Sequence, residues 1–294
     1  MKVVVLKGGI SPERAVSLCS GERIARALRE GGEAVTEIDW QGGLSPALLA
    51  QCTAADAVFL ALHGGEGENG TLQSLLDGAG VHHYTGSDAP GAALAADKLR
   101  AKTAVAAFGV PVAEGVMLSE GEKDPPMPYP FVVKPREGGS SLGFSVIRSR
   151  ADWRKRQAEA LLCEAYLPGR EFTVGILADR CLPIVEIRPL GGLYDYEHKY
   201  RAGGAEELCP APIGEARAAR LCCLATVAFR ALGLRDYARL DFREDAHGEP
   251  CFLEANVLPG MTETSLLPLA ATNMGLSFRA LCLAMASMAA RRKG

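Results

Sequence analysis

The sequence predicts an α/β lobe with an open, mostly parallel sheet, followed after about residue 90 by an α+β region. Over the first third of the chain, apolar strands alternate with helices, which is typical of parallel sheets. Strand pairs and longer helices follow it. The 294 residues, 48% of them hydrophobic, are enough for two domains or three compact ones.

The first third begins with a buried strand at residues 3–6 (VVVL). A helix starts at residues 11–13, because a serine hydroxyl, a proline and an acid in that order suit a helix N-terminus. It runs to about Glu30, where Gly31-Gly32 end it. The elements that follow are strand 34–40 (AVTEIDW), strand 57–62 (AVFLAL), helix 71–78 (TLQSLLDG) and a return to the sheet at 81–87 (VHHYTGS).

After residue 90 the elements no longer alternate. A helix from about Pro90 to Ala107 leads to a surface connection at 121–130 (GEKDPPMPYP). The later elements are strand 131–134, a strand pair (FTVGIL and PIVEIR) with a turn at Asp179-Arg180, helix 214–232, strands ARLDF and PCFLEAN joined by the turn EDAHGE, and a final helix ending in Arg291-Arg292-Lys293.

Composition excludes several classes of function. A net charge of −3 gives no electrostatic reason to expect nucleic acid as a partner. No apolar run reaches the roughly 18 residues that span a bilayer, so we expect no membrane partner. Without a targeting segment, the cytoplasm is the expected location. Nine cysteines, an odd number with no C-x-x-C pair, favour reduced and mostly buried thiols over a disulfide framework or a zinc site.

The strand pair near the C-terminus carries the clearest chemical signal. Glu254 and Asn256 point the same way because side chains alternate along a strand, and Asp241 lies on the preceding strand. If the strands pair, three oxygen donors converge, a set that suits Mg²⁺ shared with substrate phosphates. The alternative is a solvated hairpin face, as expected for the turn acids Glu244, Asp245 and Glu249. The apolar neighbours of Glu254 favour the metal.

Residues 134–143 (KPREGGSSLG) place a lysine at a strand end before a loop rich in glycine and serine. Such a loop can wrap phosphate oxygens with backbone N–H groups, although it does not match the Walker pattern. A plain hairpin turn is an equally good interpretation of these residues.

Residues 63–70 (HGGEGENG) contain a G-x-G-x-x-G pattern, which invites a dinucleotide-binding hypothesis. Glu66 and Glu68 would repel a pyrophosphate, and the pattern follows the third strand instead of the first. We therefore discount an NAD oxidoreductase. His63 could equally be a hydrogen-bonded structural residue.

Several single residues remain open on pattern alone. Glu13 could be only an acid favoured by the helix dipole. Lys199 and Tyr200, in YDYEHKY, could belong to a lid over a site or to an exposed loop. His82-His83 and His247 are interpreted as bystanders.

Taken together and in this order, the motifs identify a family. They are LKGGISPERAVSL, HGGEGENGTLQ, YTGS, DKLRAK, KPREGGSSLG, LPGREFTVGIL, YDYEHKY, ARLDF and LEANVLPGMTETSL. Over nearly its whole length the chain resembles the D-alanine–D-alanine ligases, ATP-grasp enzymes of bacterial cell-wall synthesis. The resemblance implies three lobes: an N-terminal substrate-binding α/β lobe at 1–88 and two α+β ATP-grasp lobes at 89–172 and 173–294, the last with the metal and catalytic residues.

The resemblance also implies ligands and roles. ATP would lie between the ATP-grasp lobes with two Mg²⁺ ions, which Mn²⁺ could replace. Nucleotide contacts would come from Lys98, Lys134, Gly139, Ser140, Ser141, Glu164, Tyr166, Leu167 and Glu171. Metal ligands would be Asp241, Glu254 and Asn256. Substrate-binding and catalytic roles would fall to Glu13, His63, Ser140, Lys199, Tyr200, Arg239, Gly260 and Ser265. A homodimer is implied as well.

The implied reaction joins two D-alanine molecules through a D-alanyl phosphate, as a step of peptidoglycan precursor synthesis. A relative that uses D-lactate or D-serine as the second substrate is the alternative within the ligases, and a nucleotide-binding module without catalysis is the alternative outside them. The chain departs from the family pattern at Ala15, Ala165, Val257-Leu258 and Thr264, and the stretches 118–130 and 148–162 are short.

Overall fold

The computed structural model describes residues 1–118, 124–139, 143–155, 161–189 and 204–293. The strands are β1 Lys2–Gly8, β2 Ala34–Trp40, β3 Ala57–Leu60, β4 Gly115–Met117, β5 Phe131–Pro135, β6 Ser145–Ile147, β7 Leu161–Ala165, β8 Glu171–Leu177, β9 Arg180–Cys181, β10 Val185–Pro189, β11 Ala205–Leu208, β12 Tyr237–Glu244 and β13 Pro250–Asn256. The helices are α1 Arg14–Glu30, α2 Pro46–Ala54, α3 Thr71–Gly78, α4 Ala89–Ala96, α5 Lys98–Ala106, α6 Arg150–Lys155, α7 Glu215–Ala231, α8 Leu266–Asn273 and α9 Phe278–Ala290.

The N-terminal lobe contains the parallel sheet that the alternating pattern predicts. Its strands are ordered β2-β1-β3, and Val3 pairs with both Val35 and Ala57. The strand bounds agree with the prediction for β2, while β3 is two residues shorter. The segment 81–87 returns to the sheet only through a bridge between Tyr84 and Val58.

Three helices of the structure differ from the prediction. The predicted helix from Pro90 to Ala107 is two helices, because Asp97 is extended and its carboxylate caps α5 by accepting from the Arg100 N–H. Helix α2 was not predicted, although Ser45-Pro46 is a start signal and Ser45 caps the helix. Helix α1 begins at Arg14 without a side-chain cap, since the Ser11 hydroxyl instead donates to the His63 carbonyl.

The central four-stranded sheet is antiparallel in the order β4-β7-β5-β6. Alternation along β5 sends Phe131 and Val133 into a small core with Trp153, and sends Val132 and Lys134 to the opposite face. The Phe131 and Trp153 rings meet edge to face, with centroids 5.7 Å apart. This core holds β5 rigidly while its other face lines a cavity.

The third sheet has the order β11-β10-β8-β12-β13, with β9 paired to β8. The predicted strand pair turns at Ala178 and Asp179, one residue earlier than the predicted turn at Asp179-Arg180, because these two residues have positive φ and Arg180 already belongs to β9. The two C-terminal strands pair as the metal hypothesis requires, with Asp241 opposite Glu254 and Arg239 opposite Asn256. Leu240 and Phe242 on the other face are buried against α7, which fixes which face carries the polar residues.

The prediction that all three turn acids between β12 and β13 are solvated is wrong for one of them. Glu244 is only 3% exposed and forms an ion pair with Arg217, because β12 extends to that residue. Asp245 holds the turn by accepting from the backbone N–H groups of His247 and Glu249. Glu249 is partly exposed and pairs with Arg220.

The C-terminal helix α9 closes the chain onto its beginning. Leu281, Met285 and Ala289 share a core with Ile24 of α1 and Phe59 of β3. No single helix in the described ranges is long and apolar enough to cross a membrane, and α8 and α9 reach that length and composition only together, with a 105° bend between them.

Two cysteines correct the expectation of reduced thiols throughout. Cys181 and Cys222 form a disulfide, with their Cα atoms 6.0 Å apart. They are 41 residues apart in the chain, so only the packing of α7 beside β9 brings them together. Four of the free cysteines in the described ranges are buried, as expected: Cys52, Cys163, Cys251 and Cys282.

One arginine ties α9 to two other parts of the fold. The Arg292 guanidinium donates to both Asp236 oxygens, at 2.9 and 2.8 Å, and to the Tyr84 carbonyl. Asp236 has φ of 62°, a left-handed conformation that is costly for a residue with a Cβ atom. Its carboxylate also accepts from the Gly86 N–H, so this contact joins the last helix, the first lobe and the start of β12.

We therefore expect Arg292→Met to lower the free energy of unfolding by about 2 kcal/mol, because it leaves a partly buried carboxylate without its charged donor. The measurement is urea unfolding at pH 7. Arg291→Met, an exposed neighbour of the same charge, is the control and should stay close to wild type. Equal destabilisation by both variants would contradict the role of this contact.

Candidate active site

Two adjoining cavities lie between the sheets. The first lies mainly between the central sheet and the β12-β13 pair, and the second opens toward the N-terminal lobe. Gly139, Glu171, Asp241 and Glu254 line both cavities, so these residues stand where the cavities meet. A molecule in one cavity can therefore reach a molecule in the other beside Asp241 and Glu254.

The first cavity combines an apolar slot with cations. The apolar walls are Val132, Phe144, Ala165, Leu167 and Leu253. The guanidinium groups of Arg148 and Arg243 lie 5.5 and 5.9 Å from the centre of the Tyr166 ring. Lys98 and Lys134 line the same cavity. A planar aromatic group with a charged, phosphate-rich extension matches this division. Every described residue that was predicted to contact nucleotide lines this cavity.

A buried ion cluster forms one wall of the first cavity. The Glu164 Oε1 atom lies 2.5 Å from Lys102 Nζ, and its Oε2 atom lies 2.7 Å from Lys134 Nζ. Glu164 is 2% exposed. Burial by itself would raise the pKa of the Glu164 carboxyl, but the charges of Lys134 and Lys102 outweigh it and the pKa is lowered.

Asp97 sets the position of Lys98 at the first turn of α5. Its carboxylate caps the helix and accepts hydrogen bonds from Arg136 at 2.5 and 2.9 Å, and Arg136 lies in the loop after β5. The Lys98 N–H donates to the Arg136 carbonyl at 3.0 Å. Lys98 Nζ then contacts the Gly138 carbonyl and lies 3.7 Å from Glu254 Oε2. One acid thus aligns a helix, a loop and a lysine.

The second cavity contains the residues expected to bind substrate. Glu13 and His63 line it, and the Glu13 carboxylate lies against Gly64, where a Cβ atom would collide with it. His63 is held through both ring nitrogens, by the Ser20 hydroxyl at 3.0 Å and the Leu258 carbonyl at 3.1 Å. The structural interpretation of His63 and the substrate interpretation are thus compatible.

Gly260 and Ser265 lie at the opposite wall of the second cavity. Ser265 immediately precedes α8, and its hydroxyl accepts from the Thr262 N–H at 3.0 Å. A Cβ atom at Gly260 would come within 3.0 Å of that hydroxyl, so glycine permits the close approach. A helix N-terminus with a hydroxyl beside it is suited to a carboxylate.

The paired strands β12 and β13 carry the proposed metal ligands. Asp241 accepts hydrogen bonds from Thr173 at 2.6 Å, from Arg239 at 2.9 and 3.0 Å, and from Asn256 at 3.1 Å. Glu254 faces Lys98. Among the described residues, no group of three His, Cys, Asp or Glu side chains is placed to hold a metal ion. Two carboxylates, an amide oxygen and substrate phosphate oxygens nevertheless form a donor set that fits Mg²⁺.

Four predicted site residues lie outside the described residues: Ser140, Ser141, Lys199 and Tyr200. Sequence reasoning also missed two neighbours of the site. Lys102 follows Lys98 by four residues and so shares its helix face, which was a usable signal. Thr173 could be placed beside Asp241 only from the register between β8 and β12.

Comparisons with known proteins agree with the resemblance. The family model described as D-ala D-ala ligase C-terminus matches residues 105–287. A D-alanine–D-alanine ligase of Granulibacter bethesdensis is 44% identical over 99% of this chain and 98% of the relative, and one of Acidiphilium cryptum is 44% identical over 99% of each. The crystal structure of the Bacillus anthracis D-alanine–D-alanine ligase complexed with ATP, 26% identical, covers 100% of this chain and 98% of that chain with a TM-score of 0.84. The predicted fold class is confirmed.

Asp97 generates a prediction on pH dependence. Burial would raise the pKa of its carboxyl, but the hydrogen bonds from Arg136 and the Arg100 backbone outweigh it and lower the pKa below the ordinary value. Its contribution to stability is therefore present above the pKa of the unfolded chain, about 3.9, and is lost as the pH falls through the lower folded value. Asp97→Asn retains a good cap without the charge.

We expect Asp97→Asn to cost about 1 kcal/mol at pH 6.5, since Arg136 is partly exposed and its charge is screened. The difference from wild type should shrink as the pH falls below about 4. Urea unfolding from pH 6.5 to 3.5 measures it. Asp88→Asn, at the cap of α4, is the matched control. A difference that does not change with pH would show that the ionised carboxylate is not responsible.

Proposed function

Because the chain belongs to the D-alanine–D-alanine ligase family, we propose how its two cavities carry out the reaction of that family. The protein is an ATP-dependent ligase that joins two D-alanine molecules to D-alanyl-D-alanine, a precursor for peptidoglycan synthesis. Its small-molecule substrates are D-alanine and ATP. The proposal concerns which residues perform each part of this reaction.

The contact between the two cavities is the observation that supports the proposal most strongly. A ligase of this kind must bring the terminal phosphate of ATP to the carboxylate of an amino acid. The slot and lysines of the first cavity suit the nucleotide, and the second cavity offers separate groups for an ammonium and a carboxylate. The two cavities meet at Asp241 and Glu254, where phosphoryl transfer would take place.

In the first cavity, we assign the adenine ring to the slot beside Tyr166 and Leu167, with Glu164 facing its amino group. Glu171 would accept hydrogen bonds from the ribose hydroxyls. Lys98, Lys134 and the loop that begins at Gly139 would hold the phosphates, together with Ser140 and Ser141. Lysines supply point charges to phosphate oxygens, which lowers the cost of bringing another anion to them.

Asp241, Glu254 and Asn256 are the proposed ligands of two Mg²⁺ ions, which Mn²⁺ could replace. When bound, Mg²⁺ neutralises charge on the phosphate oxygens. Thr173 and Arg239 orient Asp241 through its two oxygens. Lys98 lies beside Glu254 and partly offsets its charge.

In the second cavity, Glu13 would bind the ammonium of the first D-alanine, and His63 would lie beside it. Ser265 and the N-terminus of α8 would bind the carboxylate of the second D-alanine. The resemblance adds Lys199, and a hydrogen-bonded link from Glu13 through Ser140 to Tyr200. That link would exclude water from an acyl phosphate that water can hydrolyse.

The reaction then has two steps. A carboxylate oxygen of the first D-alanine bonds to the γ-phosphorus, the bond to the bridging oxygen breaks, and ADP leaves. The amine nitrogen of the second D-alanine, after losing a proton, bonds to the acyl carbon, and the carbon–oxygen bond to phosphate breaks. Arg239 and the Gly260 N–H would stabilise the oxyanion between these events, because preorganised donors favour the developing charge.

Three further assignments belong to the proposal. The proposed lobe boundaries are 1–88, 89–172 and 173–294; the presence of three separate sheets supports them, although β8 begins at Glu171 and α9 packs against the first lobe. A homodimer and a cytoplasmic location are proposed from the resemblance. Use of D-lactate or D-serine as second substrate stays the alternative that product analysis would reveal.

One prediction of the proposed function concerns the whole reaction. Phosphate release from ATP should require both D-alanine and Mg²⁺, because neither cavity alone holds a reacting pair. The measurement is a phosphate-release assay, with the product identified by mass spectrometry in mixtures of D-alanine, D-serine and D-lactate. Turnover that is independent of D-alanine, or a product other than the dipeptide, would contradict the assignment.

Another prediction of the proposed function concerns Glu254. We expect Glu254→Gln to lower kcat/KM by about 100-fold or more, since it removes one charge from the site of phosphoryl transfer. The fold should survive, as shown by an unfolding midpoint close to wild type. Glu249→Gln, which changes a partly exposed acid in the turn just before β13, is the control and should keep its activity. A near wild-type rate for Glu254→Gln at saturating Mg²⁺ would contradict the metal site and favour the alternative, in which this hairpin presents only a solvated face.

A further inference from the structure

Lys102 is a buried cation that the reaction described above does not use. Its side chain is 6% exposed, and its Nζ atom lies 2.5 Å from Glu164 Oε1, off the direction of a well-aligned hydrogen bond. The residue lies on α5, one turn after Lys98. Burying an ammonium group costs free energy unless an anionic partner compensates its charge, so the burial of Lys102 calls for a functional or structural explanation.

Glu164 forms ion pairs with two lysines, although one cation would neutralise its charge. Lys134 binds the second carboxylate oxygen at 2.7 Å, and it also lines the first cavity together with Gly138 and Gly139. A triphosphate entering the first cavity offers Lys134 a stronger anionic partner. Once Lys134 turns to the phosphates, Lys102 is the cation that remains with Glu164.

The charge state of Glu164 decides which ring the slot can recognise. An ionised carboxylate only accepts hydrogen bonds, whereas a protonated one can also donate. At the wall of an apolar slot, an acceptor favours a purine with an exocyclic amine and disfavours a purine with a carbonyl oxygen in that position. Val132, opposite Glu164 in the sheet, and Leu167 leave this carboxylate as a polar group among apolar walls.

We propose that Lys102 is a positioning residue that determines nucleotide specificity: it keeps the Glu164 carboxylate ionised and oriented toward the purine amine after Lys134 has moved to the phosphates. This inference rests on the proposed function, since it takes ATP as the nucleotide in the first cavity. It gives the second lysine of DKLRAK a role separate from that of the first.

The ionisation of the cluster is consistent with this division. Burial, and then the charge of Lys134, lower the pKa of Lys102 to about 7, while Glu164 counteracts them. Moving the charge of Lys134 toward a triphosphate removes that repulsion, so Lys102 retains its proton more firmly when nucleotide is bound. The pair Lys102–Glu164 is then a neutral unit inside the wall.

The test compares ATP with ITP, in which an oxygen replaces the purine amine. In Lys102→Met, which keeps the length of the side chain without the charge, KM for ATP should rise about tenfold. The ratio of kcat/KM for ATP to that for ITP should fall about tenfold. KM for D-alanine should stay unchanged, because the second cavity does not contact Lys102. Arg100→Met, an exposed cation on the same helix, is the matched control and should behave as wild type.

Four outcomes separate the explanations. An ATP-to-ITP ratio in Lys102→Met equal to that of Arg100→Met overturns the proposal. Equal losses with both nucleotides, together with a lower unfolding midpoint, also overturn it and make Lys102 a purely structural ion pair. If Lys102→Met is insoluble, Lys102→Gln should show the same loss of preference, and an unchanged preference there is equally contradictory. A wild-type protein without D-alanine-dependent phosphate release would instead reject the proposed function.

A double-mutant comparison shows whether Lys102 acts through Glu164. Glu164→Gln should lose the preference for ATP, since an amide both donates and accepts. Adding Lys102→Met to it should leave the ratio where Glu164→Gln put it. A further fall in the ratio would mean that Lys102 acts on the nucleotide by another route, and the proposal would be wrong.

Discussion

Asp241 and Glu254 face each other across one strand pair at the junction of the two cavities, and the surrounding structure compensates their charge. Arg239 and Thr173 reach Asp241 from the same sheet, whereas Lys98 reaches Glu254 from a helix that Asp97 aligns. Two carboxylates so close together repel each other unless cations lie nearby. The site can therefore assemble only when the helix, the loop after β5 and the sheet are all in place.

The N-terminal sheet could be predicted from the sequence because β1 and β3 are apolar runs, and because the β-branched and polar residues of β2 lie between two turn-forming segments. The helix break at Asp97 could not be predicted, since the residues of α4 and α5 directly on either side favour a helix and only the extended Asp97 interrupts it. The disulfide between Cys181 and Cys222 and the burial of Glu244 were missed for a related reason. Both depend on where α7 lies against the third sheet.

Some residues of the site could likewise be predicted from local sequence pattern, whereas others depend on contacts between distant parts of the chain. Alternation along β12 and β13 correctly placed Asp241, Glu254 and Asn256 on one face, because strand periodicity is local. The partners of those residues come from other strands, and Thr173 meets Asp241 only through sheet register. Roles at Glu13, Gly260 and Ser265 came from family resemblance, and the structure places these residues around one cavity. Lys102 was within reach of a helical-spacing argument, yet its partner Glu164 lies on a strand 62 positions later in the chain.

Helix α9 bears on how the protein is made. The ribosome releases a chain from its N-terminus, and early domains usually fold before later ones have been synthesised. Here the first lobe obtains part of its core from Leu281, Met285 and Ala289. The nascent first lobe must therefore wait, with the apolar faces of α1 and β3 uncovered, until residues 278–290 emerge. The order of folding therefore differs from the order of synthesis in this chain, and the lobe that is synthesised first is among the last to complete its core.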